Sequence, residues 1–151
     1  MKRSDLSFTH ELIEQDAIFN YIHGGNAIVT LESNTGVHRT YRFFKGFNSN
    51  FDKALFVKVM AENGVFEYVG MIKNNHFRIT KKSAFPFDSP EVRGVYYIMK
   101  LMLQPGGYHD DRMRLYHSGV CSVCGRKLTS PKSIITGMGK ECRRKLRISM
   151  T

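Results

Sequence analysis

All three cysteines of this chain of 151 residues sit near its C-terminus, at positions 121, 124 and 142. The string Cys121-Ser-Val-Cys124-Gly125-Arg-Lys-Leu places two thiols across a tight turn, and Cys142 follows after a spacer of seventeen residues. Two thiolates on such a turn can take adjacent corners of a tetrahedral Zn²⁺, and a distant third can close another corner. A structural zinc site has four ligands, and His117, four residues before Cys121, is the nearest candidate, with His109 in reserve. Gly125 fits the same reading, because a chain folding back over a metal needs positive φ just after the second thiol. The spacing therefore predicts one structural Zn²⁺ held by His117, Cys121, Cys124 and Cys142.

Other residues with chemical potential are less complete. His109, Asp110 and Asp111 form a short polar cluster, but no Glu-x-x-His pair and no nucleophile beside a base joins them. Gly137-Met-Gly139-Lys140 has two glycines before a lysine but lacks the full phosphate-loop pattern and its strand. It reads as backbone that must approach the metal closely. Catalysis is not expected.

Charge points to binding instead. The chain carries 23 Lys and Arg against 13 Asp and Glu, a formal net charge of +10. From Arg112 onward there are ten basic residues and one acidic one, Glu141, so nearly all of the excess belongs to the tail. Such asymmetry calls for an anionic partner, nucleic acid first and an acidic host protein as the alternative. The candidate phosphate contacts are Arg126, Lys127, Lys132, Lys140, Arg143, Arg144 and Arg147. No stretch approaches the roughly 20 apolar residues of a membrane span. The start, Met1-Lys-Arg-Ser-Asp, lacks the apolar run of a secretory signal. Free thiols in metal-ligand spacing suit a reducing compartment, so the expected location is cytoplasmic.

The elements that must carry this tail follow from periodicity. Phe8, Leu12, Ile13, Ala17, Ile18, Tyr21 and Ile22 recur at helical spacing, with Thr9 as a cap and Gly24-Gly25 as the stop. Five strand-like runs come next: Ala27 to Ser33, Val37 to Phe44, Leu55 to Ala61, Phe66 to Ile72 and His76 to Thr80. Short connections make them an antiparallel meander, and Asn63-Gly64 reads as a type I′ hairpin turn. In the second run Tyr41 and Phe43 fall on one side, Arg42 and Phe44 on the other. The segment between Lys45 and Lys53 reads as a loop anchored by Phe47 and Phe51. A second helix starts where Ser89 or Asp88 caps, Pro90 takes the first position and Glu91 sits in the first turn; its apolar face runs from Val92 to Leu103. A short turn or helix at Ser133 to Thr136 and a terminal helix from Glu141 to about Ile148 complete the tail. The expected class is α+β: a meander packed with two helices, then a small zinc-knuckle or treble-clef-like module. The division is a body over 1–104, a linker over 105–116 and a basic metal module over 117–151.

The string Cys-x-x-Cys-Gly-Arg-Lys-Leu-Thr-x-Pro-x-Ser-Ile-x-x-Gly-x-Gly-x-x-Cys, from Cys121 to Cys142, resembles a small zinc-binding domain of unassigned function found in bacterial and phage proteins. In that family the domain often follows a β-rich region ending in an Arg-x-Thr-Lys-Lys-Ser-like stretch, and Arg78-Ile-Thr-Lys-Lys-Ser83 is similar. Family members commonly carry Pro where this chain has Lys140, which leaves the ligands alone and adds a charge beside them. The resemblance implies zinc and a phage or mobile-element origin. It implies no activity.

Overall fold

A computed structural model describes residues 10–46, 54–108 and 110–150, the side chains of 146–150 excepted. Thr9, Phe8, the loop aromatics Phe47 and Phe51, and the reserve ligand His109 lie outside the described residues. The architecture is α+β, built on one six-stranded antiparallel sheet. Its strands are β1 (Asn26–Ser33), β2 (His38–Lys45), β3 (Ala54–Met60), β4 (Phe66–Lys73), β5 (His76–Arg78) and β6 (Met113–His117), in the order β5-β4-β3-β2-β1-β6.

The first five strands are the expected meander, with bounds shifted by one or two residues. Alternation is clean in β3, where Leu55, Val57 and Val59 are buried and Phe56, Lys58 and Met60 are half-exposed. The inward set, with Ala27, Val29, Leu31, Tyr41, Phe43 and Val69, forms the main core. One turn differs from expectation. At Ala61–Val65 only Gly64 has positive φ, so the connection is a three-residue loop closed by a left-handed glycine and not a type I′ turn. The two-residue turn with both φ positive is Asn74-Asn75, between β4 and β5. Asparagine tolerates that conformation through its short polar side chain.

Helix α2 (Pro90–Leu103) begins as its sequence dictates. The Ser89 hydroxyl accepts from the Val92 amide at 3.3 Å, and Pro90 occupies the first turn. Its face of Val92, Val95, Ile98, Met99 and Met102 is buried in the core. Helix α1 (Gln15–Ile22) is shorter than the periodicity suggests. The chain ahead of it pairs with β6: the Leu12 amide donates to the Leu115 carbonyl at 2.8 Å, and Glu11 bridges Tyr116. Backbone bonding to an open sheet edge outcompetes a further helical turn there. Leu12 is buried in either case, so hydrophobic spacing alone did not separate the two outcomes.

The expected linker over 105–116 is strand from Met113 on. Strand β6 returns after α2 and pairs with β1, Val29 opposite His117 and Ser33 opposite Met113. The segment that enters the basic tail is thus part of the body's sheet. Among the described residues no helix is long and apolar enough to cross a membrane.

Tyr41 ties sheet to helix. It is fully buried, and its hydroxyl donates to the Glu91 carbonyl at 2.7 Å. A Cβ on Gly94, one turn along α2, would collide with that hydroxyl. Gly→Ala in a helix interior is ordinarily favourable by about 1 kcal/mol. Here Gly94→Ala is expected to lower the melting temperature, because a buried, hydrogen-bonded tyrosine must move; an unchanged or higher value would show the contact to be readily relieved.

Candidate metal centre

The knuckle is a miniature hairpin running on from β6. The Leu128 amide donates to the Gly119 carbonyl at 2.9 Å, the Cys121 amide to the Arg126 carbonyl at 2.8 Å, and the Gly125 amide to the Cys121 carbonyl at 2.9 Å. Gly125 has φ of 76°, the left-handed turn expected behind the second thiol. Two helices bring the third thiol back. In α3 (Pro131–Thr136) the Ser130 hydroxyl caps the start by accepting from the Ser133 amide at 3.2 Å, with Pro131 in the first turn. Gly137 ends it in the left-handed region, and α4 (Lys140–Met150) then places Cys142 in its first turn.

This path gathers Cys121, Cys124 and Cys142 into one group whose Sγ atoms all lie within 4.8 Å of one another. None is in a disulfide; Cys121 and Cys142 are buried and Cys124 is exposed. With Leu128, Met138 and the flanking Ile134, the two buried thiols form a small apolar cluster separate from the main core. Three soft thiol donors at this spacing fit a metal ion. Burial would raise the Cys121 thiol's pKa, but the backbone amides of Cys124, Gly139 and Val123 and the Cys124 side chain outweigh it and bring the value down to about 7. Cys142 is pushed up to about 12, by burial first and then by hydrogen bonding and charge from the other two thiols. Cys121 is thus the readier of the two to lose its proton, while burial and the neighbouring thiols hold the proton on Cys142; a bound cation would favour the thiolate form of both.

His117 does not join this group. Its Nε2 donates to the Ile134 carbonyl at 2.5 Å, and its Nδ1 accepts from the Gly119 amide at 3.0 Å. A carbonyl only accepts and an amide only donates, so these bonds fix one neutral tautomer and use both ring nitrogens. The ring stacks on His10 at 5.0 Å between centroids and lies 5.4 Å from that of Tyr21. Burial, with the neighbouring His10 adding to it and the Ile134 carbonyl opposing it, lowers its pKa to about 4. His117 is a strut joining β6 to α3. Its position four residues before Cys121 made it the obvious fourth ligand, but as the last residue of β6 it points to α3. Among the described residues the metal group consists of the three thiols alone.

Tyr21 is the other joint between body and module. The ring is fully buried, and its hydroxyl lies 3.2 Å from Ser118 Oγ, 3.3 Å from the Ile28 carbonyl and 3.4 Å from the Val120 carbonyl. Gly137 rests on the ring so closely that a Cβ would overlap it. The Asn26 amide donates to the Ser122 carbonyl at 3.0 Å, which seats the knuckle against the start of β1. A cavity of about 920 Å³ opens beside this joint, lined by residues of α1, the end of α2, Lys45 and the module, Cys142 among them.

The basic residues divide into two kinds. Arg126, Lys127, Lys132, Lys140 and Arg144 are exposed, as is Lys145. Arg143 instead turns inward: its Nη1 donates to the Met138 carbonyl at 2.7 Å, Ser133 Oγ at 3.0 Å and Thr136 Oγ1 at 3.3 Å. It clamps α4 to α3 behind the metal group. The side chain of Arg147 lies outside the described residues. Ser133 and Thr136, which receive Arg143, escaped sequence reading, although Ser130-Pro131, a cap followed by a first-turn proline, is the same signal that marked α2.

Two outcomes follow. Adding a chelator, or replacing Cys142 with Ala, is expected to lower the melting temperature and expose the module to protease, because a ligand at 100 times its Kd contributes about 2.7 kcal/mol. Identical melts with and without chelator for a metal-loaded sample would refute a folding role. For His117 the unfolded ring takes up a proton near pH 6.5 while the folded one resists until about 4. The unfolded state therefore binds more protons between these values, and the contribution of His117 is complete above about 6.5 and declines as pH falls toward about 4. Metal-free protein should lose stability over that range, and His117→Gln should lose less; parallel profiles would remove His117 from the account.

Residues 115–147 match a family of unknown function (DUF6011), a span that takes in the end of β6, the knuckle, α3 and most of α4. No curated protein and no solved structure matches the chain. The tail from Leu115 to Arg147 is thus similar to a family whose members have no assigned activity.

Proposed function

We propose that the protein binds nucleic acid, gripping phosphates through the basic module that the metal folds, and that the metal is one structural Zn²⁺. The observation that carries this reading is the exposure of Arg126, Lys127, Lys132, Lys140, Arg144 and Lys145 on one small unit with a single acidic residue, Glu141. Among the described residues none of these six cations is in an ion pair, whereas Arg112 pairs with Asp110 and Arg114 with Glu11 outside the module. Uncompensated charge on a rigid scaffold is what a phosphate backbone recognises. Three thiolates favour Zn²⁺ over the hard cations that assist phosphate chemistry, and a structural ion would take a fourth ligand beyond these three. A non-catalytic role, a reducing cytoplasm and a phage-encoded origin belong to the same reading. They rest respectively on the donor set, the free thiols and the sequence resemblance.

Fluorescence anisotropy against salt tests it. Affinity should fall steeply with salt, and replacing Arg126 or Lys127 with Ala should reduce the log–log slope by about 1 each. Arg143→Ala should instead lower the melting temperature, since its guanidinium is bonded within the module. Binding that is insensitive to salt would sink the phosphate-gripping mechanism. Nuclease-treated protein that holds one stoichiometric acidic protein and no oligonucleotide would replace it with the protein-partner alternative.

A further inference from the structure

The face of the sheet turned away from α2 carries two cross-strand rows at the end nearest the metal module. The first runs Asn26, Phe44, Phe56, Met71, Arg78; the second runs Ile28, Arg42, Lys58, Tyr68. Three aromatic rings from three adjacent strands lie together: Phe44 and Phe56 at 5.7 Å between centroids, Phe56 and Tyr68 at 6.4 Å. All three are partly exposed, as are Arg42 and Lys58. The Arg42 guanidinium stands 4.8 Å from the Phe44 centroid and the Lys58 ammonium 5.5 Å from it. No carboxylate occurs in either row, whereas three cations do.

We propose that this face is a second binding surface, on which Phe44 and Tyr68 stack the bases of a single-stranded nucleic acid while Arg42 and Lys58 contact its phosphates. The proposal rests on the nucleic-acid reading of the basic module and names the form of the polymer. A duplex hides its base faces; only an unpaired strand offers flat π-surfaces to rings set across a sheet. Charge complementarity selects the occupant, because an apolar protein partner would leave Arg42 and Lys58 desolvated without counter-charges. Arg42 is also held ready: its Nε donates to Asn26 Oδ1 at 2.9 Å, and the same Asn26 gives its backbone amide to Ser122 of the knuckle. The platform and the basic module therefore share a residue, and a strand leaving the rings meets the module that bears Arg126 and Lys127.

The chain contains no tryptophan, so Phe44→Trp installs a lone reporter while keeping an aromatic face. Its emission should be quenched when an oligo(dT) or oligo(rU) strand of about 20 nucleotides is added, stacking being tolerant of base and sugar. Tyr68→Leu, which keeps apolar volume, should weaken binding of the single strand about tenfold and leave binding of a duplex of the same length unchanged. Full-length, metal-loaded protein is used throughout, and each variant's melting curve is compared with that of the parent. Quenching by DNA and RNA alike supports the platform; quenching by one alone supports it and names the polymer. Single-strand and duplex binding equal to each other, unaffected by Tyr68→Leu and without quenching, would overturn the platform and leave the module's phosphate grip standing. Failure of the parent protein to bind either form would overturn both.

Discussion

Among the described residues the module over 117–145 buries little apolar surface of its own. Its buried cluster amounts to two thiols, Leu128 and Met138. Units this small depend on a metal or on docking to a larger neighbour; this one is docked, and its three clustered thiols could hold a metal. The docking joint is where the architecture converges. Tyr21 supplies the floor from α1, His117 links the last strand to α3, and Gly137 lets the backbone settle on the tyrosine ring. Without that joint the three cysteines would still share a sequence motif, but the cations around them would have no fixed relation to the sheet.

Burial and charge are segregated with the same economy. Within the module, Arg143 faces inward to three oxygen acceptors, while the other described cations face solvent. Composition sees eight equal positive charges from Arg126 to Arg147 and cannot tell a clamp from a contact. Only the path of α4 past α3 makes the distinction.

Much of the fold was legible in the chain. Strict alternation in Leu55 to Met60, the Ser-Pro-Glu start of α2, and glycine after Cys124 each have one good physical solution, and each was adopted. Readings failed where two solutions competed for the same apolar residues. Leu12 is buried as well by an edge bridge as by a helix, and Leu115 and Tyr116 followed a Pro-Gly-Gly break that resembled a linker. His117 failed for a related reason: spacing along the chain suggested a ligand, but the end of a strand directs the ring to a neighbouring carbonyl. The rings of Phe44, Phe56 and Tyr68 were visible singly. Their association depends on the register of three strands, including the irregularity at Val57/Lys58, which no local pattern encodes.

The pairing of β6 with β1 has a consequence for how the molecule assembles. Strand β1 borders β2, formed early through a short turn, but its other edge waits for residues 113–117. Contacts so distant in sequence are slow to form, since a long loop must close before they give any stabilisation. Until then the edge of β1 is an unprotected template for another chain. The last segment needed to cover it is also the one that leads into the metal ligands. A metal held by the three thiols would, by ordering that segment, shorten the interval in which the edge of β1 stands open.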